Sequence, residues 1–177
     1  MNTDEQKREY LKTLILLYIE DEVDVREQFC IFFKRLVGTL ITETNGVEGL
    51  IAYRKHRPDI IISDIWMPVM DGLHMVGEIR NSDKTVPIIM LSAFEDAEYL
   101  KKSINLGING YLTKPVNSKQ FEKLLLEQAN NLRVEAESQM VWKTLQAEHT
   151  KSSHKLEAVK RDVTNISCYS CPYKPLF

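Results

Sequence analysis

IISDIWMPVMDG, residues 61–72, is the stretch on which the reading of this chain turns. The run DIIISD (59–64) has the continuous apolar character of a strand buried on both faces, yet it ends in a carboxylate, Asp64. Met67-Pro68 and Asp71-Gly72 then turn the chain. A charge at the end of a buried strand is costly unless something there makes use of it. What the rest of the chain brings to that place therefore matters.

Upstream, TLILLYI (13–19) is a second continuous apolar run with β-branched residues, and VDVREQFCIFFKRLV (23–37) sets Val25, Phe29, Phe32, Phe33 and Leu36 at helical spacing. TLITET (39–44) is a weaker strand, nearer an edge, and GVEGLIAYRKH (46–56) is a helix closed by Arg57-Pro58. Downstream come a helix GLHMVGEIRNS (72–82), a strand VPIIMLS (86–92), a helix EDAEYLKKSINLG (95–107) with Gly107 as its C-cap, and a strand NGYLTK (109–114). A further helix starts near Asn117-Ser118, which can N-cap it. This order is (βα)5. Short alternating connections imply an α/β doubly wound parallel sheet, right-handed crossovers and helices on both faces. In such sheets the ligand site lies at the carboxyl ends of the strands. Those ends carry Glu20-Asp21, Asp64, Ser92-Ala93 and Thr113-Lys114-Pro115.

Glu20, Asp21 and Asp64 repel one another when ionised together, so they need a cation or a proton. Oxygen ligands without paired histidines or cysteines favour a hard ion, Mg²⁺ first and Mn²⁺ as the alternative. Lys114 can hold a phosphoryl oxygen, or pair with Asp64 in its absence, and Ser92 can donate to another oxygen. Asp64 can then act as a carboxylate nucleophile toward phosphorus.

In combination, YIEDE, SDIWMPVMDG, MLSA and GYLTKP resemble the receiver domain of two-component response regulators, including the chemotaxis receivers, over about residues 13–130. The resemblance implies a flavodoxin-like fold with strand order 2-1-3-4-5, and a phosphoacceptor switch rather than an enzyme acting on outside substrates. It implies that Asp64 accepts phosphate from a sensor histidine kinase. It also implies that Asp21, Asp64 and the Trp66 backbone carbonyl ligate Mg²⁺, with Glu20 acting through water. Ser92 and Tyr111 become the switch pair, Lys114 the phosphoryl ligand, Lys114-Pro115 a cis peptide, and Gly72 a structural position. Bulky Trp66 and Phe94 flank the path of the hydrolytic water in this family, which implies slow self-dephosphorylation. A haloacid-dehalogenase phosphatase would carry an acid where Trp66 stands.

With 177 residues, 44% hydrophobic and 27% charged, the chain has room for one domain with a core and an appendage, or for two small domains. Its net charge of −2 argues against a general nucleic-acid or anionic-membrane binder. No apolar run approaches the roughly 18–20 residues of a membrane span, and the charged N-terminal segment (1–12) lacks a signal-peptide core, so a cytoplasmic location is expected. Cys30 falls on an apolar helix face and reads as buried and inert. His56 and His74 read as surface or packing residues, and Tyr53 as core.

Residues 119–166 lack glycine and proline, so one long helix is expected, with 131–166 a helical linker. Phe121, Leu124, Trp142, Leu145, Leu156, Val159, Val163 and Ile166 share one heptad frame, interrupted by Gln128, Asn131, Glu135, Ser138, His149 and Ser152. Leu125, Ala129, Leu132 and Ala136 form a second stripe one residue out of phase. A parallel coiled-coil homodimer is the expectation, the alternative being a helix that packs on its own receiver. His149 and His154 lack the acidic neighbour of a phosphotransfer histidine. Cys168 and Cys171, a CxxC spacing in the tail (167–177), are too few ligands for a zinc site. The tail could also begin a further domain, making the chain the regulatory half of a larger protein such as a diguanylate cyclase. A constitutive coiled-coil scaffold is the remaining alternative.

Overall fold

The computed structural model describes residues 3–93 and 97–167. Phe94 and Glu95, with the tail that carries Cys168 and Cys171, lie outside the described residues. In chain order the elements are α1 (Thr3–Leu11), β1 (Ile15–Ile19), α2 (Val23–Phe33), β2 (Thr39–Glu43), α3 (Gly46–His56), β3 (Ile60–Asp64), α4 (Gly72–Ser82), β4 (Ile88–Ser92), α5 (Ala97–Asn105), β5 (Gly110–Thr113) and α6 (Ser118–Ser167). The strands form one parallel sheet in the order β2-β1-β3-β4-β5, as expected of the flavodoxin-like class. Thr39–Glu43 is an edge strand and only partly buried, whereas every residue of β3 and β4 is buried.

Alternation along the strands divides the core in two. Leu17, Ile19, Ile61, Ile88 and Met90 face α3 and α4, together with partly buried Tyr99, Leu106 and Tyr111. Leu16, Tyr18, Ile60, Ile62, Ile89 and Leu91 face the other way, toward Phe33 of α2 and Phe121, Leu125 and Ala129 of α6. Tyr18, Phe29, Phe33 and Phe121 meet there mostly edge to face, with ring centroids 4.7–6.4 Å apart.

Local chemistry sets the helix ends. The Asn45 carboxamide accepts from the Val47 and Glu48 N–H groups at the start of α3, and Asp71 accepts from the His74 N–H at the start of α4. Asn117 and Gln120 form a reciprocal capping box at the start of α6, 2.9 and 3.1 Å. Gly107, at φ +68, follows α5, and its N–H donates to the Ile104 carbonyl. The helix read over 23–37 closes at Phe33, beyond which Lys34, Arg35, Leu36 and Val37 donate in tight turns to Cys30, Phe32 and Phe33 carbonyls. Cys30 is half-buried rather than buried, and burial pushes its thiol above the usual range despite nearby Lys34 and Arg26.

The first residues form a helix that the apolar pattern did not announce. In α1, Leu11 is buried in the second core, and Arg8 pairs with Glu122 of α6 at 2.6 Å. The chain divides into two units, 1–133 and 134–177. Within the first, both stripes are used: Phe121 and Gln128 of the first frame and Leu125 and Ala129 of the out-of-phase stripe are buried against the domain's own sheet and helices. In the second unit the described residues continue as helix to Ser167, with Trp142 67% and Leu145 52% exposed. The side chains of Leu156, Val159, Val163 and Ile166 lie outside what is described.

Candidate functional site

Glu20 follows β1 and is fully buried, Asp21 beside it is half-buried, and Asp64 ends β3, buried. These three carboxylates can each place one oxygen within 4.8 Å of the others. Lys114, one residue beyond β5, sets Nζ 2.6 Å from Asp64 Oδ2 and 2.9 and 3.0 Å from the two Glu20 oxygens. Ser92 ends β4, is buried and pairs in register with Thr113; its carbonyl accepts the Lys114 N–H at 2.7 Å. The Lys114-Pro115 peptide is cis. Tyr111, in register with Met90, is partly buried against the α3–α4 side of the core.

The loop after Asp64 is tightly tethered. The Ile65 N–H donates to the Leu91 carbonyl and the Gly72 N–H to the Ile65 carbonyl, at 2.9 and 2.8 Å. Ser63 Oγ donates to the Asp64 carbonyl, and a Cβ on Gly72 would fall on that same carbonyl oxygen. The Trp66 N–H reaches Asp64 Oδ1 at 3.3 Å. Each Asp64 oxygen thus has its own donor, Trp66 on one side and Lys114 on the other. The buried strand carries a charge at its end because cation and donors are assembled around it.

Burial pushes the Glu20 carboxyl up to about 7; the Lys114 hydrogen bond opposes this and the Asp64 charge adds to it. Burial works to lower the Lys114 ammonium, but its bonds to Asp64 and Glu20 prevail and raise it. Two residues outside the sequence reading support the site. Tyr18, buried, donates to Glu20 Oε2 at 3.4 Å, and burial followed by the Glu20 charge raises its hydroxyl well above the ordinary range, so it stays a donor. Arg26 donates to the Glu20 and Asp21 carbonyls, at 2.7 and 3.1 Å, and fixes the β1–α2 connection. Tyr18 stands two residues before Glu20, a spacing from which it could have been found; Arg26 had no comparable signal.

The donor set fits a hard divalent ion. It offers carboxylate oxygens alone, gathered within 4.8 Å of one another, the ligand type a hard cation takes.

Residues 16–126 match the response regulator receiver domain family, and the chain belongs to it. The chain is 39% identical over 87 residues to a response regulatory protein of Staphylococcus epidermidis, covering 49% of this chain and 34% of that protein. It is 30% identical over 107 residues to the chemotaxis protein CheY of Halobacterium salinarum, covering 60% of this chain and 78% of CheY. Among solved structures it resembles the CheX–CheY–BeF3–Mg²⁺ complex of Borrelia burgdorferi, at 26% identity and a TM-score of 0.61, covering 64% of this chain and 87% of that one. Thus the chain spans about a third of the Staphylococcus relative's length. Receivers are regulatory switches of two-component systems that interact with histidine kinases and bind Mg²⁺ in an acidic pocket. Among the described residues, no helix is long and apolar enough to cross a membrane.

Proposed function

We propose that the chain is a cytoplasmic phosphoacceptor switch in which Asp64 takes a phosphoryl group from a sensor histidine kinase. The observation that carries this reading is the Asp64–Lys114 pair at 2.6 Å inside a cluster of three carboxylates. An Asp64 oxygen attacks the phosphorus of a phosphohistidine; the P–N bond breaks and the imidazole leaves with its electron pair. Lys114, already bridging Asp64 and Glu20, is placed to follow the phosphoryl oxygens, and Ser92 to donate to one of them. Asp21, Asp64 and the Trp66 carbonyl would hold Mg²⁺ directly and Glu20 through water; the ion supplies neutralising charge at the transferring group. Trp66, bulky and two residues past Asp64, favours a long-lived aspartyl phosphate.

Movement of Ser92 and Tyr111 would shift a pre-existing equilibrium and alter the face of α5 and β5, where Leu100 and Ile104 stand exposed one turn apart. Exposed Trp142 and Leu145, at heptad spacing on the second unit, support pairing with a second copy of the chain, so that dimer geometry carries the signal onward.

The test is incubation with Mg²⁺ and a small phosphodonor, read by intact mass, followed by light scattering with Mg²⁺ and beryllofluoride. One added phosphoryl group, lost in Asp64→Asn, is the expected result; equal labelling of that variant would overturn the assignment. A chain that stays monomeric at every concentration would overturn the helix-mediated dimer.

A further inference from the structure

Asp64 is linked to α5 through Trp66. Its Oδ1 accepts the backbone N–H of Trp66 at 3.3 Å. The Trp66 indole is 46% exposed, and it meets the Tyr99 ring of α5 edge to face, with centroids 4.8 Å apart and planes at 63°. Trp66 lies on the loop after β3, and this ring contact helps to place its half-exposed indole. Tyr99, by contrast, is anchored: it packs against the α3–α4 side of the core, and Lys102 Nζ stands 5.3 Å from its ring centroid.

Beside this pair, α4 and α5 stand apart. A groove of about 930 Å³ runs between them, lined by Leu73, Gly77 and Asn81 from α4 and by Tyr99, Lys102 and Leu106 near α5. A Cβ added at Gly77 would meet nothing within 4 Å, so close packing does not explain a glycine in the middle of α4. At the far end, buried Arg80 ties α4 to the α5–β5 turn by donating to the Leu106 and Gly107 carbonyls, at 3.2 and 3.1 Å. Helix α5 is therefore held at its C-terminal end and has free space on its α4 side at the level of Tyr99.

We infer that Tyr99 is a positioning residue for the phosphoacceptor: it holds the Trp66 indole, and through the Trp66 N–H it sets the geometry of Asp64 Oδ1. This inference rests on the assignment of Asp64 as phosphoacceptor. Adding a phosphoryl group to Asp64 changes what the Trp66 N–H can donate to, the indole shifts against Tyr99, and α5 moves along the groove. By thermodynamic linkage the reverse also holds: a change at α5 alters the affinity of the Asp64 site. An edge-to-face aromatic pair of this kind corresponds to roughly a two- to tenfold effect on affinity.

The experiment uses the full chain labelled with 5-fluorotryptophan, whose two tryptophans give two ¹⁹F resonances, with Trp66→Phe assigning one of them. Mg²⁺ with beryllofluoride is titrated into the unsubstituted protein, Tyr99→Phe, Tyr99→Leu, Trp66→Leu and the double leucine variant, with affinities read by calorimetry. The expected result is a shift of the Trp66 resonance on binding that survives Tyr99→Phe, which keeps the ring, and collapses in Tyr99→Leu. Beryllofluoride affinity should fall roughly two- to tenfold in either leucine variant and no further in the double variant. Additive losses, or a Tyr99→Leu protein that keeps both the shift and the affinity, would overturn the inference while leaving the phosphoacceptor assignment intact. Failure of the unsubstituted protein to bind beryllofluoride would overturn both.

Discussion

Lys114 Nζ lies 2.6 Å from Asp64 Oδ2 and within 3.0 Å of both Glu20 oxygens, so one ammonium group bridges the ends of β1 and β3. Neither carboxylate is well placed without it, because both are buried and Asp21 adds a third charge nearby. Removing one member of a buried ion pair leaves its partners uncompensated, at a cost of about 3–5 kcal/mol. Lys114→Met should approach the lower end of that range in chelator, since Lys114 is itself half-buried. Mg²⁺, supplying charge at the same carboxylates, should restore more stability to this variant than to the unsubstituted chain. Urea unfolding in chelator and in Mg²⁺ measures both; an equal loss in the two conditions would contradict the shared site.

The Glu20 carboxyl, pushed up by burial from 4.5 to about 7, makes stability depend on pH. Its folded value lies above its unfolded one, so its contribution is fully present below 4.5 and is lost as pH rises through about 7. The Mg²⁺-free protein should therefore weaken over that window, and Glu20→Gln should flatten the slope there. Mg²⁺ must displace the Glu20 proton, so its affinity should climb as pH rises toward about 7 and then level off. Calorimetric titrations across this range check the climb; a Glu20→Gln protein with an unchanged slope would rule out Glu20 as its source.

Gly72 tests how closely α4 must approach the phosphoacceptor. A Cβ there would fall on the Asp64 carbonyl oxygen, which also accepts from Ser63 Oγ. That oxygen is backbone and cannot yield as the nearby Met90 side-chain end could, so Gly72→Ala should cost about 2–3 kcal/mol. It should also impair beryllofluoride binding, by displacing Asp64. Gly77→Ala, in the same helix but facing open space, should instead gain about 1 kcal/mol from helix propensity. Thermal unfolding of the two variants should thus move in opposite directions.

Much of this was legible in the chain because parallel sheets leave strong marks. DIIISD alternates Ile60 and Ile62 toward one face and Ile61 toward the other, both buried, which is why it reads as an unbroken apolar run. Glu20, Asp64 and Lys114 stood out because a charge at a buried strand end has few structural uses. The residues that support them were harder to see. Arg80 looks like an ordinary charge near a helix end, yet it is buried, donating to four backbone carbonyls of residues 83, 86, 106 and 107. That role depends on a turn distant in sequence. Helix α1 escaped notice because it is mostly polar, with Leu11 the one fully buried side chain among its described residues. On α6, two stripes one residue apart were equally good coiled-coil seams by period. Tertiary burial takes the start of both: Phe121 of one stripe and Leu125 and Ala129 of the other pack on the receiver.

Val69 carries a strain the sequence disguised. It has φ +70, a left-handed conformation that a β-branched residue adopts at a cost, and its side chain is 85% exposed, so no burial offsets that cost. The conformation lets the Met70 N–H donate to the Pro68 carbonyl at 2.8 Å, a three-residue turn that folds the loop back toward Asp71 and α4. Asparagine tolerates this region far better than valine, so Val69→Asn should raise stability by about 1 kcal/mol, equivalent to about 3 °C in Tm. Val69→Gly should gain less, because glycine also frees the unfolded chain. Val69→Ile keeps the β-branch and should change nothing. Calorimetry on the three variants checks that order. A stabilised Val69→Ile would mean that side-chain size, not backbone conformation, governs this turn.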